Sequence, residues 1–260
     1  MGNQASHTRY LALGSFVVNF GVQSYGMLTS PNMKDVADAN HYAFSPNPWF
    51  IAAFFSGQVV LQLAWIRKLF KLDQSGYQQI GASSEDANVT ADEVQTAVSY
   101  VPIYALGNLC IAGWLLFWLR GEFTGSQVLV TINTLMQVFA VARLPPLTST
   151  SSSLMLLTHM VAKTFAGIGV LDFIDNGGVV MGYRAPPSAL VAGLTYGLFP
   201  LATAVSTPFF GSILLYDVLG IMVGQRGVLG AGRWTTGLGW TAVAMGGIIG
   251  AKTFLTERKI

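Results

Sequence analysis

The run from Phe44 to Leu69, FSPNPWFIAAFFSGQVVLQLAWIRKL, constrains this chain more than any other segment. Crossing the roughly 30 Å hydrocarbon core of a bilayer as a helix takes about 20 apolar residues, and this run supplies them. Pro46, Pro48 and Trp49 stand at its start, and Trp65 with the cations Arg67 and Lys68 at its end. Tryptophan suits the headgroup zone and Arg or Lys the cytosolic flank, so Trp65 reads as an interfacial anchor. Composition agrees. Apolar residues make up 52% of the 260 and charged residues 10%, where a soluble domain carries about a quarter charged.

Repeating that reading along the chain predicts an all-α, polytopic membrane helix bundle, a single transmembrane domain over 1–260 with about 8 (7–8) spans. They fall at about 9–28, 48–69, 101–119, 126–144, 152–171, 188–206, 208–225 and 235–254. Pro200 and Pro208 interrupt the sixth and seventh, which read equally as two short spans or as one span and a re-entrant segment. A polar loop over about 71–99 holds five of the twelve acids, with a short helix expected near Ala91–Val98. The lone Cys110 excludes a disulfide framework and a cysteine metal site. A net charge of +2 gives no sign of a nucleic-acid partner.

With eight spans the amino-terminal side carries Arg9, Arg67, Lys68, Lys71, Arg143, Lys252, Arg258 and Lys259. The other side carries Lys34, Arg120, Arg184, Arg226 and Arg233. Positive loops stay inside, so both termini are expected in the cytosol. Met1-Gly2-Asn3-Gln4-Ala5-Ser6 matches the N-myristoylation pattern, with Gly2 as acceptor, and agrees with that side. The sequon Asn88-Val89-Thr90 argues the other way and is silent if its loop is cytosolic.

Asn19, the FSPNPW segment, Gln58 to Trp65, and then Asn108, Trp114 and Trp118 in GNLCIAGWLLFW, with Ser126 opening the next span, come in a familiar order. Over about residues 10–145 this order resembles the longer, eukaryotic-type members of the tryptophan-rich sensory protein family, also called the translocator or peripheral benzodiazepine receptor-like family. Ile111 stands where that family usually carries a second Asn. The resemblance implies a five-helix bundle, here about 10–171, whose helices line one pocket for a flat hydrophobic ligand such as a porphyrin, a sterol or another lipid. No cofactor other than such a porphyrin ligand is implied. Carried over, the ligand-binding residues are Asn19, Trp49, Gln58, Asn108, Trp114 and Trp118. The acylation motif and the resemblance together point to a eukaryotic membrane, that of an intracellular organelle or the plasma membrane. Partners are then membrane lipids and a hydrophobic small molecule, with membership of an oligomer or complex left open.

Ionisable groups inside spans are costly and so mark function by default. Three qualify: His159 and Lys163, four apart on one helical face, and Asp217 in SILLYDVLGIMV. An Asp217–Lys163 pair would answer the desolvation of both, and alternate access to them is the mark of a second reading, a small-solute transporter. A third reading is an enzyme acting on isoprenoid or lipid substrates. Asp172 and Asp175 form a single weak metal candidate for it, since such magnesium–diphosphate sites need two acidic clusters and only one is present. Gly177 and Gly178 right after it read as a helix stop. The fourth reading is a structural subunit of a membrane complex. The three histidines, His7, His41 and His159, form no metal cluster. Lys252 at the end of the last span is too near the interface for a retinal Schiff base. No catalytic residue is legible, and the chain reads as a binding protein before an enzyme.

Overall fold

The computed structural model describes residues 2–74 and 89–257. Among them the chain is helical, with no strand. The helices are α1 (Gly2–Leu28), α2 (Met33–Ala39), α3 (Pro48–Gln74), α4 (Ala91–Leu119), α5 (Phe123–Arg143), α6 (Ser153–Met181), α7 (Ala189–Val205), α8 (Pro208–Gly224) and α9 (Gly232–Glu257). In a bilayer every backbone polar group must be satisfied within the segment, which leaves helix as the form for such apolar runs. Six of them, in α1, α3, α4, α5, α6 and α9, are long and apolar enough to cross a membrane, while α7 and α8 are shorter apolar helices.

The helix expected near Ala91–Val98 is the first two turns of α4. Thr90 caps it and forms a reciprocal capping box with Glu93, which satisfies two of the amino-terminal N–H groups a helix leaves open. The helix stop expected at Gly177 and Gly178 does not occur, because α6 runs on to Met181. Gly178 is there for space: a Cβ would meet Phe44 Cδ2 at 3.2 Å. The turn comes at Gly182, whose φ of +64° is a left-handed conformation that glycine adopts without strain.

The chain divides into two compact units. The first comprises Met1–Asn32 and Phe55–Ala166, and the second Met33–Phe54 and Gly167–Ile260. In the first, α4 packs on α1 and on α5. Buried positions of α3, namely Gln58, Gln62, Trp65, Ile66 and Leu69, recur at helical spacing and turn one stripe inward. On α5 the buried stripe is Ser126, Val130, Asn133, Gln137 and Ala140, alternating steps of four and three.

In the second unit α7, α8 and α9 pack on one another, and the FSPNPW segment is fixed by hydrogen bonds. Gln225 Nε2 donates to the carbonyls of Tyr42 (2.7 Å) and Ser45 (3.1 Å), and Trp234 Nε1 donates to that of Ala43 (2.9 Å). The Asn47 amide reaches the Gly220 carbonyl (2.9 Å) and the Tyr216 hydroxyl the Phe50 carbonyl (2.8 Å). The prolines of this segment therefore shape a docked loop before α3.

Candidate functional site

The first unit concentrates its polar side chains in one ladder. Asn19 Nδ2 on α1 donates to Asn108 Oδ1 on α4 (2.8 Å), and Asn108 Nδ2 donates to the Tyr104 carbonyl (3.1 Å). The Tyr104 hydroxyl donates to Gln62 Oε1 on α3 (2.6 Å), and the Tyr100 hydroxyl to Gln137 Oε1 on α5 (2.8 Å). Gln137 Nε2 closes on the Ile103 carbonyl (3.3 Å). Four helices thus meet through amides and phenols, the groups that hydrogen-bond between helices in lipid.

Two buried amides outside the ladder retain unused capacity. Asn133 is 0% exposed and neither atom of its amide has a partner, and the buried Gln58 Nε2 also has none. The pairing of Gln62 with Tyr104, and of Trp65 with Tyr100 and Tyr104, sets α3 against α4 in opposite directions. One turn back along α3, about 6 Å, is Gln58, and one turn on along α4 is Asn108, so these two share a level. Asn133 joins them through Gly107, where a Cβ would stand 2.8 Å from Asn133 Oδ1 and 3.1 Å from Phe165 Cε1. A buried amide without a partner costs about 1–3 kcal/mol. This level of the bundle can therefore offer a donor and an acceptor to a further polar group.

Of the residues expected to line a pocket, Asn19 and Asn108 belong to this ladder, and Gln58 is buried one helical turn from its member Gln62. Trp114 and Trp118 stack on each other instead, centroids 5.6 Å apart, with Phe123 edge-on to Trp118 at 5.0 Å. They lie about 9 and 15 Å along α4 from Asn108. Trp49 belongs to the second unit and is 78% exposed. Trp65, expected at the interface, is buried. Its Nε1 donates to Thr158 Oγ1 (3.0 Å) and its ring meets Tyr104 and Tyr100 edge-on. The reason is that α3 continues to Gln74, so Trp65 stands well inside the helix. Asn133 and Gln137 were not singled out from the sequence, although INTLMQ carries them four apart, the same signal as Gln58 and Gln62.

His159 and Lys163 are buried in the first unit. Asp217 is buried in the second unit with both oxygens unpartnered; Lys163, the partner expected for it, belongs to the first. Asp175 Oδ1 accepts from Ser45 Oγ (2.9 Å) and Asp172 Oδ2 is unpartnered. Among the described residues no group of three or more His, Cys, Asp or Glu side chains could hold a metal ion. Gly2 is the first residue of α1, and Asn88 lies outside the described residues. No protein-family model, curated protein or solved structure matches the chain.

Proposed function

We propose that this chain is a multispanning membrane protein whose first unit binds a flat apolar ligand bearing a hydrogen-bonding group. In this reading it is a distant relative of the tryptophan-rich sensory proteins, with a porphyrin as the first ligand to test. The observation that carries it is the unspent amide of Asn133, beside Gln58 Nε2 and the Asn19–Asn108 pair. Binding sites of this class are largely apolar, with a few placed polar groups that fix orientation, and the ladder has that composition. Tyr104 and Phe165, 5.8 Å apart and edge-on, supply aromatic area beside it.

The test is a titration of the purified full chain with protoporphyrin, followed by tryptophan fluorescence. Saturable one-to-one quenching is expected, with affinity falling about tenfold in Asn133→Leu, the loss of about 1.4 kcal/mol of hydrogen bonding. Quenching that does not saturate, or that is unchanged in both Asn133→Leu and Asn108→Ala, overturns the reading. The same proposal takes α7 and α8 as two short spans, which gives eight crossings and both termini in the cytosol.

A further inference from the structure

The acids of α6 and α8 are Asp172, Asp175 and Asp217, and the packing of the second unit sets two of them face to face. Gly167 on α6 is so close to Ile213 on α8 that a Cβ there would stand 2.1 Å from Ile213 Cγ2. Farther along, the Ser45–Asn47 segment touches both helices: Ser45 Oγ donates to Asp175 and the Asn47 amide to the Gly220 carbonyl. Contacts in that order mean that α6 and α8 run the same way. Four residues beyond Ile213, about 6 Å, is Asp217; five beyond Gly167, about 7.5 Å, is Asp172. The two carboxyl groups therefore share a level.

Among the described residues no ion pair neutralises them. Asp217 is 0% exposed with both oxygens unpartnered, and Asp172 Oδ2 has no partner. Tyr216, beside Asp217, directs its hydroxyl to the Phe50 carbonyl, and Asp175 is tied to Ser45. The α7 helix carries no charged residue. On α9, Arg233 is exposed and Lys252 Nζ is bonded to α7 carbonyls. His41 is held by Gln225. Lys163 precedes Asp172 on α6 by nine residues, about 13 Å and two and a half turns away.

A buried carboxylate ion without donors is costly enough that the group takes up a proton instead. Two carboxylates sharing a site cannot both ionise. Among the described residues no group of three or more His, Cys, Asp or Glu side chains could hold a metal ion, and a proton needs no cavity. We propose that Asp217 and Asp172 form a proton-binding site inside the second unit, two carboxyl groups from neighbouring helices that hold an exchangeable proton between them. The site is independent of the amide ladder of the first unit.

The test uses the full chain in lipid vesicles at neutral pH. Infrared spectroscopy is expected to show a protonated-carboxyl C=O band that shifts in D2O and is lost in the Asp172→Asn/Asp217→Asn variant. In parallel, the wild-type chain is treated with the apolar reagent dicyclohexylcarbodiimide. The acid's oxygen adds to the central carbon of the reagent and its proton goes to a nitrogen. The resulting O-acylisourea rearranges to a stable N-acylurea. Peptide mapping is expected to place the adduct on Asp217 or Asp172, and this assignment stands whether or not the double variant folds. Absence of the band from the wild type overturns the proposal, as does a band or adduct that belongs to Asp175 alone. Where the reagent fails to react, the wild-type band decides.

Discussion

At Gly107 a hydrogen atom occupies the place of a side chain, and a Cβ there would lie 2.4 Å from Gln137 Nε2 and 2.8 Å from Asn133 Oδ1. Gln137 cannot swing aside cheaply, because both ends of its amide are engaged, by the Tyr100 hydroxyl and the Ile103 carbonyl. Gly107→Ala should therefore destabilise the chain by about 1–3 kcal/mol, the usual cost of overpacking, read as a lower midpoint of thermal unfolding in detergent. Gly21 is the control. Nothing lies within 4 Å of its Cβ position, so Gly21→Ala should be neutral or gain up to about 1 kcal/mol of helix propensity. A matching loss in both variants would mean that helix backbone, and not the amide contact, sets the cost. The polar ladder was half legible from sequence. Gln58 and Gln62 announce a buried stripe by their spacing, and Asn19 and Asn108 were singled out through the order of residues that carries the family resemblance. What spacing does not give is the partner: Asn133 reaches Asn108's level only because Gly107 lets α5 approach. Trp65 misled for a related reason, since tryptophan near lysine marks an interface only where the helix ends there.

Helix ends carry the corresponding argument for elements. The last four carbonyls of a helix lack intrahelical donors, and α7 ends against Pro208, which has no N–H to offer. Lys252 from α9 answers this: its Nζ donates to the carbonyls of Thr203 (3.1 Å) and Ala204 (2.7 Å) and also to that of Ser206. The α8 helix then starts afresh, with Thr207 Oγ1 accepting from the Phe210 amide. A cation at a helix carboxyl end contributes up to about 2 kcal/mol in partly buried settings. Lys252→Met, which keeps most of the apolar stem, should lower stability by about 1–2 kcal/mol in thermal unfolding; an unchanged midpoint would show that water serves these carbonyls as well. The break at Ser206–Thr207 could be read from Pro208, whereas Pro200, expected to interrupt the region too, lies inside α7. The passage of α6 through Gly177 and Gly178 could not, because a glycine that ends a helix and one that admits a neighbouring ring look alike in sequence.

For the whole molecule the open quantity is the number of crossings. At 17 residues each, α7 and α8 are about 26 Å long, slightly short of the roughly 30 Å core. Length alone leaves three arrangements: a pair of spans, one span with a re-entrant segment, or a hairpin that dips in and returns; the first and last keep the termini on one side. The contact with Lys252 separates them. Lys252 lies twenty residues beyond Gly232, the start of α9, about 30 Å along that helix. The α7–α8 turn at Ser206–Thr207 is bonded to it, and in the proposed eight-crossing arrangement it stands at the far interface. A hairpin would leave that turn, and a lysine, in the middle of the hydrocarbon, where a cation costs about 2.5–3.5 kcal/mol. The prediction follows for Ser206→Cys placed in a Cys110→Ser background, in sealed vesicles of known orientation. A membrane-impermeant maleimide should label it from the side that carries both termini. Labelling only by a permeant reagent, or from the opposite face, would establish the hairpin, reduce the crossings to six, and place Lys252 on the list of charges buried within the membrane.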